Sequence, residues 1–211
     1  MTSPTLNLRE QKKRETRQTI SDVATRLFME RGFEAVTIAE IATAAHVAKM
    51  TVTNYFPRKE DMALDLSDEF VGSLARTVAE RGAGESALAA LRREFLAAVA
   101  RRDPVIGFAG LPFVRMIVES PTLTARLREF HELREQALAD LLVAEAHVGP
   151  GDVVPRAVAA QLGAAHRVLF AETIRRTLAG DDLDDVAAAL ADAGTRTFDL
   201  LEPALGDYAV R

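Results

Sequence analysis

The chain has 211 residues, of which 48% are apolar and 27% charged, and a formal net charge of -5. This suits a globular protein built as one large domain or as a small domain joined to a larger one. It contains no cysteine, which excludes disulfides, thiol catalysis and thiolate metal sites.

No apolar run reaches the roughly 18 residues of a membrane span, and the N-terminal stretch MTSPTLNLREQKKRE lacks the apolar core of a signal peptide, so the expected compartment is the cytoplasm. The charge is divided by position. Residues 1–60 hold 10 Lys/Arg and 7 Asp/Glu, a balance of +3, whereas the remaining 151 hold 16 and 24, a balance of -8. Such an acidic remainder repels phosphate and turns the basic part toward it.

Residues 1–8 are polar with an early proline. The run REQKKRETR, from Arg9 to Arg17, carries five basic residues on the start of a helix, a cationic arm suited to a DNA backbone; a solvated helix face is the plainer reading of any one of them. Ile20, Val23, Ala24, Leu27 and Phe28 recur at helical spacing and form one apolar stripe. Gly32 ends that helix, and Phe33 beyond it can fold back onto the stripe.

Thr37-Ile-Ala-Glu40 reads as a capping box opening a second helix, with Ile38, Ile41, Ala42 and Ala45 on its buried side. A break at His46-Val47-Ala48 precedes a third, short helix over Lys49–Tyr55. Val52 and Phe56 point inward from it, leaving Lys49, Met50, Thr53 and Asn54 outward. That face can meet base edges: Asn pairs with adenine, Lys with guanine, and Thr or Met touches a thymine methyl.

With these elements in place, the stretch ATRLFMERGFEAVTIAEIATAAHVAKMTVTNYFPRKEDM, within a matched segment over residues 12–62, resembles the DNA-binding domain of the TetR family of transcriptional regulators. The resemblance implies that Thr37 contacts phosphate, that Lys49, Met50, Thr51, Thr53 and Asn54 face the major groove, and that Tyr55 and Lys59 hold backbone phosphates. Phe56 matches a buried position. Four residues depart from the family pattern: His46 stands where glycine is usual, Ala48 replaces a capping serine, at a cost of about 1 kcal/mol, Met50 replaces glycine and Thr53 replaces tyrosine. Either His46 adopts an uncommon backbone conformation or the turn is built differently.

Beyond Pro57, the repeat of Leu66, Phe70, Leu74 and Val78 predicts one long helix from Lys59 to Arg81, with RGAGES as the following loop. Leu88, Leu91, Phe95 and Val99 mark a helix ending near Arg102. Asp103-Pro104 is a helix start made irregular by Gly107, Gly110 and Pro112. Ser120-Pro121 opens a long helix to about His147, stopped by GPGD; Pro155 begins another to Leu178; Leu183–Leu201 is the last before Pro203. The carboxylates of HELRE and DDLDD fit a solvated helix face and a helix start.

The expected fold is therefore all-α, about nine helices, with a three-helix helix-turn-helix DNA-binding domain over residues 1–58 and a six-helix domain over 59–211. The resemblance gives the second domain ligand binding and dimerisation through the last two helices, which are rich in small residues that permit close approach. It also implies a homodimer reading an inverted repeat of double-stranded DNA, most simply as a repressor released by a small-molecule effector that shifts the linking helix. Candidate pocket residues are Phe95, Phe108, Phe113, Met116, Phe130, His131, His166 and Phe170; each also suits plain core packing. No cofactor, metal site or catalytic motif is expected, neither a glycine-rich phosphate loop nor an HExxH pair. The alternative function is a helical protein-interaction module that has lost DNA binding.

Overall fold

The computed structural model describes residues 8–146 and 151–211. Ten α-helices occur among them: α1 Leu8–Arg31, α2 Ile38–Ala44, α3 Lys49–Tyr55, α4 Glu60–Ala63, α5 Ser67–Ala79, α6 Ala87–Arg101, α7 Leu111–Glu119, α8 Pro121–Ala146, α9 Val154–Ala179 and α10 Leu183–Leu205, with a 3-10 turn at Pro104–Ile106. None of the described helices is long and apolar enough to cross a membrane. The chain divides into two compact units, one running up to Asp65 and including Met116–Arg126, the other formed by Leu66–Arg115 and Leu127–Arg211.

In the first unit α1 packs on α2 and α4, and α2 on α3. Ile20, Ala24 and Phe28 are fully buried, as are Ile41 and Val52. The end of α1 follows its sequence signal: Gly32 takes φ 83°, its N–H donates to Phe28 O at 2.9 Å, and Phe33 returns to lie 4.9 Å from the Phe28 ring.

The long helix expected from Lys59 to Arg81 is interrupted between Ala63 and Ser67. In an unbroken helix the Met62 carbonyl would accept from the N–H of Leu66. Here it accepts from Ser21 Oγ at 3.1 Å and Thr25 Oγ1 at 3.4 Å, and Ser21 also donates to the Asp65 carboxylate. Leu66 is consequently exposed and does not join the stripe of Phe70, Leu74 and Val78, which are buried. This split adds one helix to the nine expected.

The second unit has its core between α5, α6, the 3-10 turn, α8, α9 and α10, centred on Leu88, Leu91, Leu138, Leu162, Leu190 and Phe198. Asp103 caps the 3-10 turn, accepting from Val105 N at 2.9 Å. The irregularity expected after Pro104 is thus a single tight turn, with α7 starting afresh at Leu111. Helix α8 begins at Pro121 as expected. The residues His147 to Pro150, which include half of the expected GPGD stop, lie outside the described residues. Helix α10 was expected to finish before Pro203 but carries that proline inside it. A proline forfeits one backbone donor. The helix closes two residues later, where Gly206 N still donates to Glu202 O at 2.9 Å, so one missing bond is tolerated.

Candidate nucleic-acid interface and effector cavity

The turn before α3 resolves the His46 alternative: its backbone is left-handed, φ 54°. For a residue with a Cβ this costs about 1–2 kcal/mol. The bend is closed by Val47 N donating to Ala42 O at 3.0 Å and His46 N to Thr43 O at 3.2 Å. Ala48 holds the extended conformation of an N-cap, φ -70° and ψ 147°, and supplies no side-chain bond.

The bounds of α3 are those read from the sequence. Val52 and Phe56 are its buried anchors, and Arg17 of α1 lies with its guanidinium 4.5 Å from the Phe56 ring centroid. One of the five arm cations is thus engaged in packing, while Lys12, Lys13 and Arg14 are exposed. Lys49, Met50 and Asn54 are exposed, and Thr51, Thr53 and Tyr55 half-buried. Met50 is 70% exposed, far from the treatment an apolar side chain receives when packing is its role. Thr53 Oγ1 donates back to Met50 O at 3.1 Å, so its hydroxyl hydrogen is engaged within the helix.

Two candidate phosphate contacts are also used within the unit. Thr37 completes the capping box: its N–H and its Oγ1 both donate to Glu40 Oε2 at 2.8 Å, and Glu40 N donates to Thr37 Oγ1 at 3.3 Å. These bonds from the Thr37 backbone and hydroxyl, with that of Arg31, pull the Glu40 carboxyl down to about 2. Lys59 Nζ donates to Phe33 O at 2.8 Å and Val36 O at 3.0 Å and lies 4.1 Å from the Phe33 ring centroid. Two of its three protons therefore lock the α1–α2 connection, and the third has no hydrogen-bond acceptor among the described residues.

Two links within this unit have no signal in the sequence. Ser120 Oγ donates to Glu34 Oε1 at 2.7 Å while accepting from Leu123 N at 3.2 Å at the start of α8; the bond from Ser120 lowers the Glu34 carboxyl below its usual range, opposed by burial. Arg126 reaches Asp61, described further below. Both join residues more than sixty positions apart, where neither periodicity nor capping chemistry can point.

In the second unit a cavity of about 470 Å³ opens between α5, α6, the 3-10 turn, α8 and α9. Of the eight expected pocket residues, Phe95 and His166 line it. Phe95 fits because α10 has no side chain opposite it: a Cβ on Gly194 would sit 2.5 Å from the Phe95 ring. Phe108, Phe130 and Met116 are buried outside the lining, and Phe113 is half-buried outside it. His131 and Phe170 instead form an aromatic cluster with Phe70, ring centroids 4.9, 5.2 and 5.8 Å apart. Burial, reinforced by Arg134 and Arg167, lowers His131 to about 4. The helix-spacing argument thus found aromatic residues but not which side of them is empty. It missed Arg134, Ser73 and Ile106, which do line the cavity. Among the described residues no cluster of carboxylate, histidine or cysteine side chains could hold a metal.

Comparison with known proteins matches residues 20–66 to the family of bacterial regulatory proteins, tetR family. The HTH-type transcriptional regulator TcmR of Streptomyces glaucescens is 31% identical over 204 residues, covering 94% of this chain and 88% of that protein. The chain belongs to the TetR family. It is accordingly a DNA-binding transcriptional regulator with an N-terminal helix-turn-helix. A second TetR-like relative in this comparison, the HTH-type transcriptional repressor AcnR of Corynebacterium diphtheriae, is 28% identical over 133 residues, 63% of this chain and 66% of that one. Solved structures of similar fold include NalD, the secondary repressor of the MexAB-OprM multidrug efflux pump in Pseudomonas aeruginosa, with TM-score 0.55 and 20% identity over 87% of this chain and 96% of that one. Salmonella enterica GusR has the same TM-score and identity, covering 91% and 96%. Both the family match and the expected all-α class of a TetR-like chain therefore agree with the architecture above.

Proposed function

We propose that this TetR-family regulator is a cytoplasmic repressor without enzymatic activity, binding an inverted-repeat operator as a homodimer and released by a small molecule held in the cavity of the second unit. The observation that carries the reading is the outward face of α3, where Lys49, Met50 and Asn54 stand exposed on a helix anchored from behind by Val52 and Phe56. Lys49, Met50, Thr51, Thr53 and Asn54 read bases in the major groove; Thr37, Tyr55 and the remaining proton of Lys59 hold phosphates. DNA binding belongs to residues 1–58 and regulation to 59–211. Repression is supported by the names of AcnR and NalD, each described as a repressor.

Dimerisation through α9 and α10 is supported by the apolar side chains these helices leave uncovered, among them Val168, 64% exposed, and Leu200, 79% exposed. Two recognition helices in a symmetric dimer meet successive major grooves about 34 Å apart. An effector that favours the non-binding state by roughly 1–3 kcal/mol weakens DNA binding by about 5- to 150-fold.

The experiment is selection of bound fragments from the source genome with the purified protein. Enrichment of a palindrome is expected, and its neighbouring genes identify the effector class. Failure to enrich any palindrome would instead favour the protein-interaction module.

A further inference from the structure

The cavity contains a cation with no counter-ion. Arg134 is only 4% exposed, and its Nε donates to Ser73 Oγ at 2.8 Å, with the guanidinium 4.5 Å from the Phe70 ring centroid. No further hydrogen-bond partner of Arg134 occurs among the described residues, so its four Nη protons are unpaired, since a guanidinium carries five donors. Of the carboxylates in the cavity wall, Asp103 and Glu94 are both engaged by Arg101, at 2.9 and 2.8 Å, and neither Glu69 nor Glu80 forms an ion pair with Arg134. Burial lowers the Arg134 guanidinium to about 9, only partly offset by Asp103.

A second buried polar group borders the cavity, packed against Phe95 and Phe198. His166 lines the same cavity at 5% exposure, and its Nε2 has no hydrogen-bond partner. Burial and the neighbouring Arg134 hold it neutral, well below its usual range. A buried polar atom without a partner is costly, and a buried unpaired charge costs more. Besides charged residues such as Arg76, Arg93, Glu69 and Glu80, the wall includes Leu74, Leu91, Phe95, Ala98 and Ile106, and the volume falls in the range of roughly 300–1,000 Å³ occupied by small-molecule sites.

We propose that the cavity takes a compact apolar molecule bearing one carboxylate-like anionic group, seated on the free Nη edge of Arg134. A cationic group at that edge would meet like charge, and a neutral one would leave the guanidinium without a counter-ion. The assignment rests on the reading of this cavity as the effector site and narrows it to a chemical class.

The test is calorimetric titration of the full-length protein with 2-naphthoate and 2-naphthamide, which have nearly the same shape and differ in charge. Wild type is expected to bind the carboxylate at least about tenfold more tightly, the equivalent of 1.4 kcal/mol. Arg134→Met is expected to abolish that preference while keeping the amide affinity within about twofold, and Arg134→Lys, which retains the charge, to keep part of it. The wild-type comparison requires no variant to fold. Equal affinity for the two probes, or a preference that survives in Arg134→Met, overturns the anionic class and leaves the effector cavity standing. Binding of neither probe overturns both.

Discussion

Arg126, on the first turns of α8, donates twice to Oδ1 of Asp61 on α4, from Nη2 at 2.8 Å and Nε at 3.1 Å. Both side chains are mostly enclosed, at 15% and 17% exposure. This is a setting in which an ion pair contributes measurably, because two charge-assisted bonds converge on one carboxylate oxygen and little water competes. Asp61→Asn and Arg126→Gln should each lower the urea midpoint. In a double-mutant cycle they should show a coupling of roughly 0.5–3 kcal/mol; additive effects would reduce the pair to a surface contact.

The internal bonds of Lys59 and its proposed phosphate contact separate experimentally. Lys59→Ala removes the donors to Phe33 O and Val36 O and should destabilise the free protein by about 1–3 kcal/mol, the cost of stranding enclosed acceptors. In DNA titrations the same variant should weaken binding to all sequences similarly and reduce the salt slope by about one. A lower melting temperature with an unchanged slope would confine Lys59 to its internal role.

The turn before the reading helix carries two correctable defects. His46→Gly relieves a left-handed conformation and Ala48→Ser supplies a missing cap to a residue already in the cap conformation. Each should stabilise, Ala48→Ser by about 1 kcal/mol and His46→Gly by somewhat less, since glycine also gains freedom in the unfolded chain. Thermal melts of the two single variants and the double variant measure this directly.

Asn54 is exposed on α3 and accessible to base edges. Asn54→Ala should change which bases are preferred at one position of each half-site, with about 1–3 kcal/mol less discrimination there. Uniform weakening across a panel of mutant operators would contradict base reading by this residue.

His131, half-buried, and His166, buried, set an acid limit. His131 titrates near 4 in the folded protein, because of burial first and Arg134 and Arg167 second, and near 6.5 when unfolded. Between those values the unfolded chain binds a proton that the folded one refuses, so stability falls as pH drops from about 6.5 toward 4 and is insensitive to this group above 6.5. His166, also lowered, acts with the same sign. The melting temperature of wild type should drop by several degrees more between pH 7.5 and 5 than that of His131→Gln.

What the sequence disclosed was what local chemistry governs. The capping box at Thr37 and Glu40, the glycine end of α1, and the limits of α3 all depend on residues within one or two helical turns, and each appears where expected. The interruption at Leu64–Leu66 depends instead on the Ser21 hydroxyl, 41 positions away from the carbonyl it takes. Its four-residue hydrophobic repeat was compatible with one continuous helix. In the same way the carboxylates of HELRE read as a solvated face, and nothing in that pattern shows that Arg134 between them is buried. Whether an arginine on a charged stretch faces water or a cavity is decided by the helices packed around it, and helical spacing carries no record of them. The aromatic residues able to line a pocket were easily collected; the empty space that makes two of them lining residues was not.

Helix α3 is seven residues long and begins at a residue that offers it no side-chain bond. Helices of that length are marginal in water by themselves, so its shape depends on Val52 and Phe56 remaining buried. Recognition and folding of the head are then a single cooperative event. No half-melted state of the head keeps its sequence selectivity, and loss of that selectivity on warming should coincide with melting of the core behind α3.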